Sequence, residues 1–400
     1  MKAPDLAQRD RWNNRLKAIA VGIGLALTLL TLRHWYETFS FGHPLCDNCG
    51  TDFPSLYTGA KLIWENPAAL YDLDQQLVIE KTIDPRLGNS SLAFAYPPFT
   101  AFLLMPLGWL SFTKAYLVMT VMNGLMLMLA LKVLNNSLHL TAEQSNWLRL
   151  STFCNFGVHS TFLQGQTSLI ILLMVVLLVH SSRHGAQVST GLWSGALFFK
   201  PQFLPVPLLI LAVRRNWHAL WLCLSVVVAL AICSGMLVGQ EGVADYIHIA
   251  GRFTARQSDL GTNPQDMHNL RALALFAFPS LTTLYFWVFL CALVLVGTIL
   301  LNLKIYQNDR VATVQWIGNL LAVLLLSPHL HAHDLALLVA INALILKNCG
   351  NSMPVVVPLS LIPLGLWALF PLMFRNQLPP LLPVIFMAGF FWCVWFVRRS

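Results

Sequence analysis

Four short polar clusters interrupt an apolar chain, and their side chains are of the kinds that move protons and hold anions. The first is Asp52 in "TDFPSLY". A carboxylate among aromatic residues can take a proton from an attacking hydroxyl. An acid beside Pro54 also suits the N-cap of a helix, and the residues alone leave both readings open. In "LQGQTS", Gln164 and Gln166 carry amides that can hold a hydroxyl-rich ligand or act as caps and turn residues. "FFKPQF" sets Lys200 between two apolar stretches without an evident acidic partner. Such a lysine can meet an anion or snorkel to lipid headgroups.

The fourth cluster, "SPHLHAHDLALL", contains His329, His331, His333 and Asp334. Alternate histidines with an acid can bind a metal, donate hydrogen bonds to a phosphate or satisfy one another. Alternation brings side chains together on an extended segment but sets them about 200° apart on a helix, and the helical flanks weigh against a metal. A second polar stretch adds Arg252, Arg256, Asp266, His268 and Arg271, read as a lid with mostly solvated charges. Together, an acid, a lysine, histidines and arginines around apolar walls suit a reaction on a lipid-linked phosphate. The carboxylate removes a proton from the attacking hydroxyl, and cations stabilise charge growing on the departing phosphate.

The elements that position these residues are membrane helices. Of 400 residues, 56% are hydrophobic and 10% charged, against about 25% charged in soluble domains. The fold class is all-α, a polytopic transmembrane bundle forming one integral membrane domain over 1–400. Lys2, Arg9, Arg11, Arg15 and Lys17 precede the first apolar run, and no small-residue cleavage site follows Leu32, so a retained first helix is expected. Lysines and arginines concentrate in the tail 1–17, at Lys132, Arg149, Arg183, Arg214–Arg215, Lys304, Arg310 and Lys347, and at Arg398–Arg399. Positively charged loops stay cytoplasmic, which puts both termini inside. The basic balance is thus a topology signal, and no aromatic-laced basic patch points to nucleic acid.

These anchors select about twelve spans: 18–38, 112–133, 148–162, 167–182, 188–199, 203–213, 217–239, 281–303, 311–327, 334–347, 354–374 and 381–397. The segments around Lys200–Pro201 can also form one kinked helix. Two outer loops are long, 39–111 and 240–280, and such loops form lids, sites or extra structure. Within the first, Phe53, Leu56, Tyr57, Ala60, Ile63 and Trp64 recur at helical spacing, predicting an amphipathic helix lying on the membrane. The stretch 97–110, opening on "YPPF", is short enough to be re-entrant. Cys46 and Cys49 can close a small disulfide loop or stay idle thiols. A transporter or flippase of lipid-linked anions is the competing class, but neither an internal repeat nor midplane charge supports it.

The motif order carries a resemblance. "DFPSLYTGAKL" with "LYD", then "YPPFTAFLLMPLGWLSFTKAY", "GQTSLIILL", "GLWSGALFFKPQFLPVPLLIL" and "LLLSPHLHAHDLALL" resemble glycosyltransferase family 87. These are polyprenyl-phosphate-mannose-dependent α-1,2-mannosyltransferases of the GT-C superfamily. The resemblance implies a GT-C bundle with juxtamembrane helices in the first outer loop. It also implies inverting transfer of a hexose, mannose in the family, from a polyprenyl-phosphate donor to a lipid or glycan acceptor. Transfer is expected on the periplasmic side of a bacterial inner membrane. Asp52 matches the family's catalytic aspartate. Lys200, His329, His331, His333 and Arg271 are the expected contacts to the donor phosphate, and Tyr57, Gln164, Gln166 and Asp334 to sugar or acceptor. No cofactor is expected; the histidine run, richer than the family pattern, leaves a divalent metal open.

Overall fold

A computed structural model of the protein describes residues 6–41, 52–83, 92–254, 267–278, 282–304, 306, 308–348, 356–368 and 380–400. Cys46, Cys49, Arg256 and Asp266 lie outside these residues. Among the described residues the secondary structure is entirely helical. Among the described residues six helices are long and apolar enough to cross a membrane: α1 (Leu6–Phe41), α5 (Phe112–Leu138), α11 (Trp217–Thr254), α13 (Thr282–Asn302), α14 (Asp309–Leu326) and α17 (Leu381–Arg399). The other stretches read as spans contain shorter or broken helices: α6 (Ala142–Phe153), α7 (Phe156–Gln164), α8 (Ser168–Arg183), α9 (Gln187–Ala196), α10 (Pro205–Val213), α15 (Leu338–Asn348) and α16 (Val356–Ala368).

The breaks have local causes. Pro201 offers no N–H and pushes the residue before it out of helical geometry, and Lys200 sits at φ −128°, ψ 87° between two single 3₁₀ turns. Gly191 of α9 lies against Ala219 of α11 and Gly195 against Cys223, so these two helices run in the same direction. The turn 214–216 returns α10 into α11, which makes α9 and α10 a helical hairpin with Lys200 at its tip. A second turn joins α7 to α8 at Gly165, which has left-handed φ 59°. The third connection runs from α14 through an extended 327–331 segment into a 3₁₀ helix, Ala332–Leu337, before α15.

The long connection between α1 and α5 contains α2 (Phe53–Glu65), α3 (Leu73–Ile83) and α4 (Pro98–Gly108). The helix expected at 53–64 is present, packed more deeply than a one-sided amphipathic pattern implies. Phe53–Ala60 are buried all round, Ser55, Thr58 and Gly59 included. The small polar face is covered by Phe94 and by α4, whose Gly108 meets the Ala60 backbone. Trp64 remains exposed, its ring edge-on to Trp109. Phe53, Leu56 and Phe94 of this stretch share an apolar core with Tyr116 and Met119 of α5, beside the larger core of the bundle. At the centre of that larger core, α14 is buried on most sides.

Two close approaches bring the connections together. α7 lies against the backbone of Ala336 at Gly157. At Gly165, a Cβ would stand 2.7 Å from Phe53 Cβ and 2.9 Å from the Tyr116 ring. Gly165→Ala is therefore expected to cost about 1–2 kcal/mol for the left-handed backbone alone, and more for the overlap. Denaturant unfolding in detergent, compared with Gly185→Ala, where φ is 68° but nothing lies within 4 Å, isolates the overlap.

Candidate functional site

Asp52 opens α2 but does not cap it. Its backbone is in the right-handed helical region, at φ −78°, ψ −9°, and its side chain makes no capping hydrogen bond. Capping oxygens seek the N–H of the second or third helical residue. Here the second is Pro54, which has none. The carboxylate turns instead to the α7–α8 turn, where Gln166 Nε2 donates to Asp52 Oδ2 at 2.8 Å. His333 Nδ1 stands 3.7 Å from the same oxygen, and the Asp52 side chain keeps 35% of its surface open. Partial burial pushes its pKa above the ordinary carboxylate value, against opposing pulls from the Gln166 hydrogen bond, His331 and Lys200; Asp334 pushes it further up.

Lys200 has an acidic partner that sequence proximity does not reveal. Its Nζ donates to Asp334 Oδ1 at 2.7 Å across 134 residues, and the two side chains are 4% and 1% exposed. Ser168 Oγ donates to the same carboxylate oxygen at 2.8 Å. The rings of Tyr96 and Phe203 each lie 5.9 Å from Nζ. Burial alone would raise the Asp334 pKa, but Lys200 and His333 outweigh it and hold this carboxyl well below the usual range. With Lys200, Ser168 and the His331 N–H, the last at 3.4 Å, around it, Asp334 is a counter-ion and presents no free face to a sugar.

The histidines divide. His333 is buried; with the proton on Nδ1 it donates to Gln164 Oε1 at 2.5 Å, while Nε2 faces Asp334 Oδ2 at 3.6 Å. Burial, more than any neighbour, takes its pKa down to about 3, and that of His329 likewise to about 3. Both are neutral donors at physiological pH. His331 is partly exposed, its ring 5.8 Å from that of His333. Among the described residues no three His, Cys, Asp or Glu side chains converge as a metal set. α12 (Leu270–Ala277) is tied to this segment by Asn269 Nδ2, which donates to Ser327 O at 2.8 Å, and by His268 N–H, which donates to Leu330 O at 2.9 Å. Arg271 on α12 is near enough to oppose protonation of both His329 and His331.

The structure thus brings together Asp52, Gln164, Gln166, Lys200, Arg271, His329, His331, His333 and Asp334. It does not bring Tyr57, whose hydroxyl donates to Leu110 O at 2.8 Å inside the loop's aromatic cluster. Five residues along a helix turn a side chain about 140° from Asp52, so the two diverge. Residue-by-residue reading missed Tyr96, Asn123 and Ser168. Tyr96 and Ser168 stand inside the quoted "YPPF" and "GQTS" stretches. Asn123, fully buried in α5, donates to Gln166 O at 2.8 Å; its signal was a lone amide in an apolar span.

Removing one partner of the buried pair strands the other charge. Lys200→Met or Asp334→Leu alone is expected to cost about 3–5 kcal/mol, while the double variant recovers much of it. Unfolding midpoints of the three variants in detergent check this.

No curated protein and no solved structure matches the chain. The profile of glycosyltransferase family 87 matches residues 94–328, more than half of the sequence, from just before Tyr96 to just before His329. Gln164, Gln166, Ser168, Lys200 and Arg271 fall within that stretch; Asp52 and the histidines adjoin it through the contacts above. The chain belongs to glycosyltransferase family 87 and is a membrane glycosyltransferase.

Proposed function

We propose that this glycosyltransferase moves a hexose, mannose, from a polyprenyl-phosphate donor to a hydroxyl of a lipid or glycan acceptor. It does so with inversion, at the periplasmic face of a bacterial inner membrane. The observation that carries the reading is the Asp52 carboxylate: it is released from capping, held by Gln166, and partly open beside a cluster of cations and neutral histidines.

In this mechanism Asp52 accepts the acceptor's hydroxyl proton as that oxygen attacks the anomeric carbon. The bond from that carbon to the phosphate oxygen breaks, its electron pair leaves with the polyprenyl phosphate, and Asp52 later returns the proton to solvent. The leaving phosphate gains one negative charge. The histidines at 329 and 331 donate hydrogen bonds, and the buried Arg271 and Lys200 contribute positive potential at short range, where low polarity carries it further than in water. Gln164 orients His333 and is open to sugar hydroxyls. The exposed apolar faces of α5 and α11 supply surface for the polyprenyl chain. Asp334 and Tyr57 serve the architecture.

Asp52→Asn is expected to lower transfer from polyprenyl-phosphate mannose by about 10²–10⁴-fold without loss of folded protein, measured with purified enzyme in detergent. Transfer at the wild-type rate would sink the base assignment, and transfer of glucose but not mannose would sink the sugar. The base works deprotonated, and its pKa is raised in the folded protein. Lowering the pH therefore removes activity sooner than for a carboxylate titrating near 4. The acidic limb of the kcat/KM profile is expected above that value.

A further inference from the structure

Tyr96 reaches the amide that holds Asp52. Its hydroxyl donates to Gln166 Oε1 at 2.8 Å and lies 3.4 Å from Thr167 Oγ1. The Thr167 N–H meets the same Oε1 at 3.2 Å. A primary amide has one accepting and one donating end. Two donors on Oε1 turn Nε2 toward the Asp52 carboxylate.

Tyr96 is itself held by residues of the connection between α1 and α5. Tyr71 Oη donates to Tyr96 O at 2.7 Å. Upstream, the Phe94 N–H donates to Gln76 Oε1 and the Leu92 N–H to Glu80 Oε2, both at 2.9 Å. Gln76 and Glu80 are fully buried. Buried polar side chains are costly unless paired, and here three side chains of the 71–80 stretch act on the backbone of one short extended segment. That segment ends at the residue that touches Gln166.

We infer that Tyr96 is a positioning residue for Asp52: through Gln166 it fixes which end of the amide faces the carboxylate, and so keeps Asp52 aimed as an acceptor of the incoming hydroxyl proton. This rests on Asp52 being the base. The groups facing Asp52 are His331, His333 and Asp334 from the segment before α15, Lys200 from the hairpin tip, and Tyr96. Tyr96→Phe keeps the ring beside Lys200 and Phe199 and removes only the hydroxyl.

The test is the pH dependence of kcat/KM for wild type, Tyr96→Phe, Gln166→Leu and the double variant. Tyr96→Phe is expected to lower kcat/KM about 10-fold, the size of one lost hydrogen bond, and to move the acidic limb to higher pH. The sign follows because an N–H bond favours the charged carboxylate, and a freed amide offers it less. In the Gln166→Leu background the same change is expected to cost less than about 2-fold and leave the limb in place, since the coupled partner is gone. Tyr71→Phe loosens the Tyr96 backbone without touching the amide, and is expected to move the limb the same way by less. An unmoved limb in both Tyr96→Phe and Tyr71→Phe overturns the inference. So does full additivity with Gln166→Leu, which would make Tyr96 a direct substrate contact. Wild-type activity in Asp52→Asn overturns instead the reading on which the inference rests.

Discussion

The arrangement of the site depends on one buried ion pair. Lys200 and Asp334 come from a hairpin tip and from the segment that follows the central helix, and each side chain is almost wholly removed from solvent. Taking two charges out of water costs several kcal/mol per ion unless their geometry is close and their remaining hydrogen-bonding groups are met. Ser168 and the His331 N–H meet them, so the pair tolerates little movement of three separate connections. Gln166 lies two residues before Ser168 and inherits its position. Asp52 takes its position from Gln166 in turn. A demanding buried pair thereby sets the location of a carboxylate to which it is not bonded.

The same pair shapes the chemistry. Because Lys200 is matched by Asp334, the interior beside Asp52 carries little net charge, and burial rather than a nearby cation dominates the carboxylate's proton affinity. Burial also keeps His329 and His333 neutral. Under the proposed mechanism this divides the labour. A lysine sealed by Tyr96, Phe203 and its counter-ion acts by field, as does the equally buried Arg271, and the direct contacts to phosphate fall to neutral imidazole N–H groups.

Fold class, the helix after Asp52 and the grouping of Gln164, Gln166, Lys200 and the histidines at helix ends are legible because each rests on local pattern: apolar run length, helical spacing and polar residues at span ends. What was illegible is pairing at long separation. Nothing near Lys200 in the chain announces Asp334, and the alternating histidines are compatible with a strand or a helix until the chain's path is known. The spacing at 53–64 predicts a helix without saying what covers its small polar face. Ser55, Thr58 and Gly59 are small enough to be covered by another helix and an aromatic ring, and α4 with Phe94 covers them. Tyr57, five residues after Asp52 in the same motif, is turned away from it by the helix between them.

The capping question shows how one residue type misleads and another corrects. Aspartate before a helix is a frequent cap, and proline in the first turn is a frequent companion. In "DFPS" the two work against each other, since proline at the second helical position deletes one of the two N–H groups that a cap can reach. The Ser55 N–H is then the one capping target left, and the Asp52 backbone is already helical, a conformation that caps seldom adopt. The side chain is thereby released toward Gln166, whose own orientation is settled by Tyr96 and Thr167. A feature that reads as support for a structural role is, once its donors are counted, what makes the carboxylate available for chemistry.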